Sequence, residues 1–460
     1  MGATIKIFAR IRQISRFHLV FFSICSFWFL ALFPGRLGYD YALAIRMIQN
    51  GESTDWWTAL FFWYLRVTTF WGNSIFLAAF LGYCSLIFSV YFLINSLPYS
   101  KVVRERTILF LVATPFIGVF GLTVSHDVFQ TAGILLFIAA ELRIYLKKHL
   151  NRNAYLWVLL LASLESLTTQ VGVCFIAIQI LILLIRRSYK ISVVLLLTSI
   201  IVVFVSSLGI STEFMKNAKS YALIADIKCV AQHPEARINT QEWNYLRSLA
   251  PEEDWKNPIS CTAADPQIAA LRFLSDDIPI NTDLIRNYLS ISSKNPAIVI
   301  MAHIQRSRGA LPPPFFQGPD NQVILDPTIP IGLGTNIALQ TGPELLHPSI
   351  DEPSVNKRFV FSKPLEMLAQ IPTFLINQAS WFWGWGGFWL WPISIFILVK
   401  LKVRRFTHLF SLTFPILLLH GLMFLIGPGP LGRYYMSTII LGIACSLIPL
   451  IDYLTSKDRK

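Results

Sequence analysis

Residues 74–95 read SIFLAAFLGYCSLIFSVYFLIN. These 22 residues contain no Lys, Arg, Asp or Glu, and Lys101, Arg104 and Arg106 follow soon after. About 20 apolar residues in helical form cross the ~30 Å hydrocarbon core of a bilayer. The stretch therefore predicts a transmembrane helix whose basic flank faces the cytoplasm. Working outward from it, the same pattern recurs at 17–33, 108–124, 128–146, 154–164, 171–185, 192–208, 387–399, 409–426 and 434–450.

Composition agrees. Of 460 residues, 54% are hydrophobic and only 14% charged, where a soluble domain carries about 25% charged residues. The net charge of +13 raises the question of nucleic acid. The basic residues, however, sit in short clusters between apolar runs, which makes them topology signals and excludes a nucleic-acid footprint. Clusters occur at Lys6–Arg16, Lys101–Arg106, Arg143–Arg152, Arg186–Lys190, Lys400–Arg405 and Lys457–Lys460. Every second gap is basic, which places both termini in the cytoplasm of a cell inner or plasma membrane protein. The first apolar run lacks an A-x-A-like cleavage site and reads as a retained helix.

Residues 154–185 are the difficult step. As one helix they would span ~48 Å, whereas two full crossings need ~60 Å. Basic residues flank both sides, so a hairpin of two short helices around residues 165–170 is expected. The fold class that results is an α-helical polytopic membrane protein of about ten transmembrane helices. Residues 1–210 form an N-terminal membrane module and 381–460 a C-terminal one. Residues 211–380 form a mostly helical non-cytoplasmic domain large enough to bury its own core. Within it, Asn295-Pro296 and Lys363-Pro364 read as helix starts, with Pro at the first helical position. Trp381, Trp383, Trp385, Trp389 and Trp391 are expected at the membrane interface. Cys229 and Cys261 share the outer domain, where an oxidising face would let them pair. Cys25, Cys84, Cys174 and Cys445 lie in apolar spans as packing residues. His18 and His420 are read in the same way.

Polar residues at the outer ends of the spans carry the chemistry. The first outer segment reads Pro34-Gly35-Arg36-Leu37-Gly38-Tyr39-Asp40-Tyr41 and later includes Asp55-Trp56 and Trp71-Gly72. The second is little more than Ser125-His126-Asp127, the third runs from Glu165 to Gln170, and the last ends Gly432-Arg433-Tyr434. Carboxylates and one Arg thus lie at one membrane level.

In these motifs the chain resembles membrane glycosyltransferases of the GT-C fold. The resemblance rests on Pro-Gly followed by Asp in the first outer segment, a later Asp-Trp, an acid in a very short second segment, and the Arg-Tyr opening the last span. It covers roughly residues 17–185 and 427–450 and leaves out the outer domain. It implies transfer of a sugar from a polyprenyl-phosphate donor to a glycan, lipid or protein acceptor, with the lipid bilayer as platform. Asp40 would be the base that takes the acceptor proton. Asp127 would orient the acceptor or, with Asp40, a divalent cation if one takes part. Arg433 would hold the donor phosphate. Tyr434, Glu165, His126 and Arg36 would contribute to substrate binding. The plainer rivals are a solvated acid or helix cap for Asp40, a cap for Asp127, an interfacial anchor for Arg433, a packing acid for Glu165 and a polar loop residue for His126. At the level of the whole chain, the rivals are a transporter or flippase of a lipid-linked sugar and a non-catalytic membrane scaffold.

Overall fold

A computed structural model of the chain describes residues 16–37, 39–52, 58–147, 151–169, 171–207, 220–259, 261, 271, 281–307, 364–365, 367–369, 371, 386–403, 405–426 and 435–457. In chain order the elements are α1 (Arg16–Ala31), the short strand β1 (Arg36–Leu37), α2 (Tyr39–Gln49), α3 (Ala59–Thr68), α4 (Phe76–Ser96), α5 (Lys101–Ala113) and α6 (Pro115–Gly121). The short strand β2 (Thr123–Val124), α7 (His126–Tyr145), α8 (Arg152–Ser166), α9 (Gly172–Ile185) and α10 (Tyr189–Ser207) follow. Next come α11 (Tyr221–Ala231), α12 (Thr240–Leu249), α13 (Glu252–Lys256), α14 (Thr282–Lys294) and α15 (Pro296–Ser307). The chain closes with α16 (Gly386–Ile395), which runs into a π-helical turn at Phe396–Lys400, then α17 (Phe406–Ile426) and α18 (Met436–Lys457).

Among the described residues four helices are long and apolar enough to cross a membrane, over Phe76–Ser96, His126–Tyr145, Phe406–Phe424 and Met436–Ser456. Shorter apolar helices cover Arg16–Ala31, Gly172–Ile185, Tyr189–Val205 and Gly386–Lys400. Helix α10 leaves Val193, Leu197, Ile200, Ile201, Phe204 and Val205 exposed. Apolar area in water is unfavourable by about 25 cal/mol per Å², so a face of this kind belongs against lipid or protein.

Local sequence sets the helix boundaries. Thr58, Ser100, Ser125 and Asn151 each precede a helix, and each side-chain oxygen accepts a backbone N–H of the first turn. The stretch 108–124, expected as one span, is broken. Pro115 has no N–H to give, and its ring drives Thr114 out of the helical region to φ −78°, ψ 148°. The helix stops at Ala113 and restarts as α6. The hairpin expected in 154–185 is present as α8 and α9. Thr169 Oγ1 accepts the N–H of Gly172 at 3.1 Å in the turn. A Cβ at Gly172 would lie 1.6 Å from the carbonyl oxygen of Ser166, so only glycine fits.

The first outer segment contains two helices that the reading for spans passed over. Tyr41, Ala44, Ile45 and Ile48 are buried at the spacing of one helical face, and Phe61, Phe62 and Leu65 repeat the pattern on α3. Together with Ala78 and Ala79 from α4 they form a core of their own. The larger core joins α1, α4–α7, α16, α17 and α18. In it Trp28 is buried and donates from Nε1 to the carbonyl of Val112 at 3.0 Å.

Residues 220–307 carry a further core of Ile224, Ile227, Val230, Leu246, Trp255, Leu284 and Ile291. Pro296 opens α15, and Pro364 is helical, both as expected. Cys229 and Cys261 are disulfide-bonded, with Cα atoms 5.9 Å apart. The boundaries at 210–211 and 380–381 lie outside the described residues, as do Trp381, Trp383 and Trp385. Trp391 is exposed, but Trp389, expected at the interface, is buried; its Cβ would be 2.6 Å from a Cβ at Gly442 on α18. Glycine at 442 removes the obstacle and turns an interfacial indole into a packing one.

Candidate functional site

Two short strands bring the first and second outer segments together. Arg36 pairs with Thr123 and Leu37 with Val124 in parallel register. The turn into β1 uses Gly35 at φ +125°, where a Cβ would also meet that of Ala79 at 2.3 Å. Past the strands, α2 and α7 start side by side. Asp40 lies in the first turn of α2, one residue before Tyr41. Asp127 lies in the first turn of α7 and is 3% exposed.

Tyr41 links the two starts. Its phenol oxygen is 2.8 Å from Ser125 Oγ and 3.0 Å from His126 Nδ1, and it donates to Asp127 Oδ2 at 3.4 Å. Ser125 donates to the same carboxylate oxygen at 3.0 Å while its Oγ accepts the N–H of Asp127. His126 Nε2 lies 3.4 Å from Asp127 Oδ1. Thus Ser125 is the cap of α7, and Asp127, for which a capping role was the plainer rival, is the capped carboxylate.

The third outer segment joins the same cluster. Thr168 Oγ1 donates to the carbonyl of His126 at 3.3 Å, and Thr58 Oγ1 donates to the carbonyl of Thr168 at 2.8 Å. Glu165 is buried and takes a hydrogen bond from Ser85 of α4. Among the described residues its other oxygen has no hydrogen-bond partner, and neither has Nε2 of Gln130, which stands one turn beyond Asp127.

Of the residues singled out in the sequence, Asp127, His126 and Glu165 come together around these three segments. The backbone of Asp40 and that of Arg36 belong to the same assembly, and their side chains lie outside the described residues. Arg433 and Tyr434 also lie outside them. Their neighbour Tyr435 is buried, 5.0 Å ring to ring from His420. His420 is itself buried and bonded to Thr438 Oγ1 at 3.0 Å, a packing role as expected. His18 is exposed on α1.

Sequence reading missed Tyr41, Ser85, Thr58 and Gln130. Gln130 had a signal, its i+3 spacing from Asp127. Ser125 also had one, as a serine directly before an apolar run. A second cluster was missed altogether. Glu141 on α7 is fully buried and pairs with Arg186 at 2.5 Å. Tyr155 donates to Glu141 at 3.0 Å, and Arg186 donates to Ser411 at 2.9 Å.

No protein-family model, curated protein or solved structure matches this chain.

Among the described residues no three His, Cys, Asp or Glu side chains gather to hold a metal. Asp127 and His126 are two side chains of this cluster able to contribute to one. Without invoking a metal, a capped carboxylate beside an imidazole can accept a proton from a hydroxyl, or orient one.

Proposed function

We propose that this chain is a membrane glycosyltransferase of the GT-C type, moving a sugar from a polyprenyl-phosphate donor to an acceptor on the non-cytoplasmic face. The observation that carries this reading is the Tyr41 contact with Ser125, His126 and Asp127. It gathers the first two outer segments, Asp40 included, around one carboxylate at the end of an apolar helix. Phosphate leaves readily, so the chemistry needs chiefly a base for the acceptor hydroxyl and a cation for the departing phosphate. Asp40 is assigned as the base, Asp127 as the residue orienting the acceptor, and Arg433 as the phosphate-binding cation. Glu165, His126, Arg36 and Tyr434 are assigned to substrate binding.

The reading includes ten spans, both termini in the cytoplasm and residues 211–380 outside. The disulfide Cys229–Cys261 supports an oxidising side for that domain. Reporter fusions after Lys190 and after Ser380 are expected on opposite faces; the same face for both would overturn the topology. The activity is tested by incubating the purified protein with a panel of polyprenyl-phosphate sugars and measuring loss of donor. Consumption of one donor, lost in Asp40→Asn, supports the reading. No consumption across the panel with acceptors present would count against it.

One observation favours a second reading, a transporter or flippase of a lipid-linked sugar. The buried Glu141–Arg186 pair places charge between α7, α9 and α17, as transport pathways do. Donor consumption separates the two.

A further inference from the structure

At the opposite end of α7 from Asp127, a shallow groove opens between α9 and α17. Ile182, Ile185, Phe406 and Phe410 give it apolar walls, and Arg186 and Thr407 complete the lining. Two of the wall residues are strongly exposed, Ile185 at 51% and Phe406 at 75%. Phe406, Phe410 and Phe414 continue as a ladder of stacked rings along α17, with centroids 5.9 and 4.3 Å apart. One wall is therefore a strip of ring faces running with the helix axis.

The charged residues in and next to the lining are basic. Arg186 is already balanced by Glu141 and held by Ser411 and by His408, whose Nδ1 is 3.3 Å away. The next residue on each wall is a further arginine. Arg187 follows Arg186 and Arg405 precedes Phe406, and both are exposed. Arg405 stands close enough to act on His408 together with Arg186. Neither Arg187 nor Arg405 joins an ion pair among the described residues. The groove thus has walls suited to a hydrocarbon chain, and Arg187 and Arg405 are the chain neighbours of its lining residues Arg186 and Phe406, in no ion pair among the described residues.

We infer that this groove is a binding site for one anionic phospholipid, its acyl chain along Phe406 and Phe410 and its phosphate between Arg187 and Arg405. Charge complementarity selects the occupant. A zwitterionic lipid offers the same chain but brings its own cation, whereas a net negative headgroup neutralises both arginines. Basic sites between membrane helices take anionic headgroups for this reason. The inference is independent of any catalytic activity, because none of these residues touches the Tyr41–Asp127 cluster.

The test uses the full-length protein purified in detergent and offered phosphatidylglycerol or phosphatidylcholine, with retained lipid counted by native mass spectrometry. Phosphatidylglycerol is expected to be retained about 25-fold better, since each of the two basic residues near such a headgroup is worth about fivefold in affinity. Arg187→Gln with Arg405→Gln should lower that preference about 25-fold, to none. Thr407→Trp, at an exposed position, fills the groove without altering charge and should remove the retained lipid. Thermal unfolding in phosphatidylcholine checks that all variants fold. Equal retention of both lipids, or a wild-type preference surviving in either variant, overturns the inference and assigns the arginines to topology alone.

Discussion

The phenol oxygen of Tyr41 lies 3.0 Å from Nδ1 of His126, and through that contact a helix of the first outer segment is fixed on the first turn of α7. The residues are 85 positions apart in the chain. Because the same oxygen reaches Ser125 and Asp127, one side chain sets the position of three others.

Tyr41→Phe keeps the ring in its core and removes only the hydroxyl. Loss of a neutral hydrogen bond should lower stability by about 1 kcal/mol. Donor turnover should fall by about tenfold, because His126 and Asp127 lose their common anchor. Thermal unfolding and donor consumption on one preparation read the two effects separately. Unchanged turnover would show that the phenol is packing only.

Asp40→Asn and Asp127→Asn separate the two carboxylates. Asn at 40 removes the proposed base and should cut turnover by ~10²-fold or more with little effect on donor binding. Asn at 127 can still accept from Ser125 and Tyr41, so a positioning role predicts a smaller loss, about tenfold, seen mainly in the acceptor KM. Initial rates over a matrix of donor and acceptor concentrations distinguish them. Equal losses in kcat from both would make Asp127 a proton acceptor as well.

Glu141 and Arg186 form a buried pair, and breaking such a pair strands a charge. Glu141→Leu alone, or Arg186→Met alone, should lower stability by about 3–5 kcal/mol. The double variant should recover most of that loss, since replacing both charges with apolar groups is often near neutral. Chemical unfolding of the four proteins in one detergent measures the coupling. Additive losses would mean that each residue owes its stabilisation to other partners.

In the helical region of residues 220–307, Glu242 closes a capping box with Asn239 and pairs with Lys294 at 2.6 Å. Burial by itself would raise its carboxyl pKa, but hydrogen bonds from Lys294, Ser290 and the Asn239 N–H outweigh it and hold the pKa below the usual glutamate value. A depressed carboxylate stabilises the fold above its unfolded pKa, about 4.3, and that contribution is lost as pH falls through the lower folded value. Stability of this region followed by tryptophan fluorescence should be flat above about pH 5 and decline below pH 4. Glu242→Gln should flatten the decline. An identical acid limb in the variant would assign it to another carboxylate.

Reduction of Cys229–Cys261 frees a loop spanning 32 positions. Chain entropy for a loop of that length is worth about 3–4 kcal/mol. Cys229→Ser with Cys261→Ser should therefore lower the stability of this region by that order in chemical denaturation. A negligible change would mean that the loop is held by its other bonds, such as Gln232 to Ile259.

The helical fold was legible where one period dominated. Residues 74–95 gave α4 nearly residue for residue, because twenty apolar residues permit few alternatives. The hairpin in 154–185 followed from the charges at both its ends. The break at Pro115 was written in the sequence, yet hydropathy hides it, since proline interrupts a helix without making it polar. Helices α2 and α3 were missed for the opposite reason: their stripe is real but too short to resemble a span. At the site, carboxylates and histidine are visible as letters, and Asp127, His126 and Glu165 were found that way. Tyr41 was not, because a tyrosine beside an aspartate looks like any interfacial aromatic until its hydroxyl is seen to reach residues 84 to 86 positions away.

The pairing of β1 with β2 also has a consequence for biosynthesis. Chains are made from the N-terminus, at about 5–20 residues per second. The strands end at Val124, and the last residue bonded into the Tyr41 cluster is Thr168. Every described group of the cluster has therefore been synthesised before α11 begins at Tyr221. The helices of residues 220–307 are thus the later arrival, added to a platform whose parts already exist.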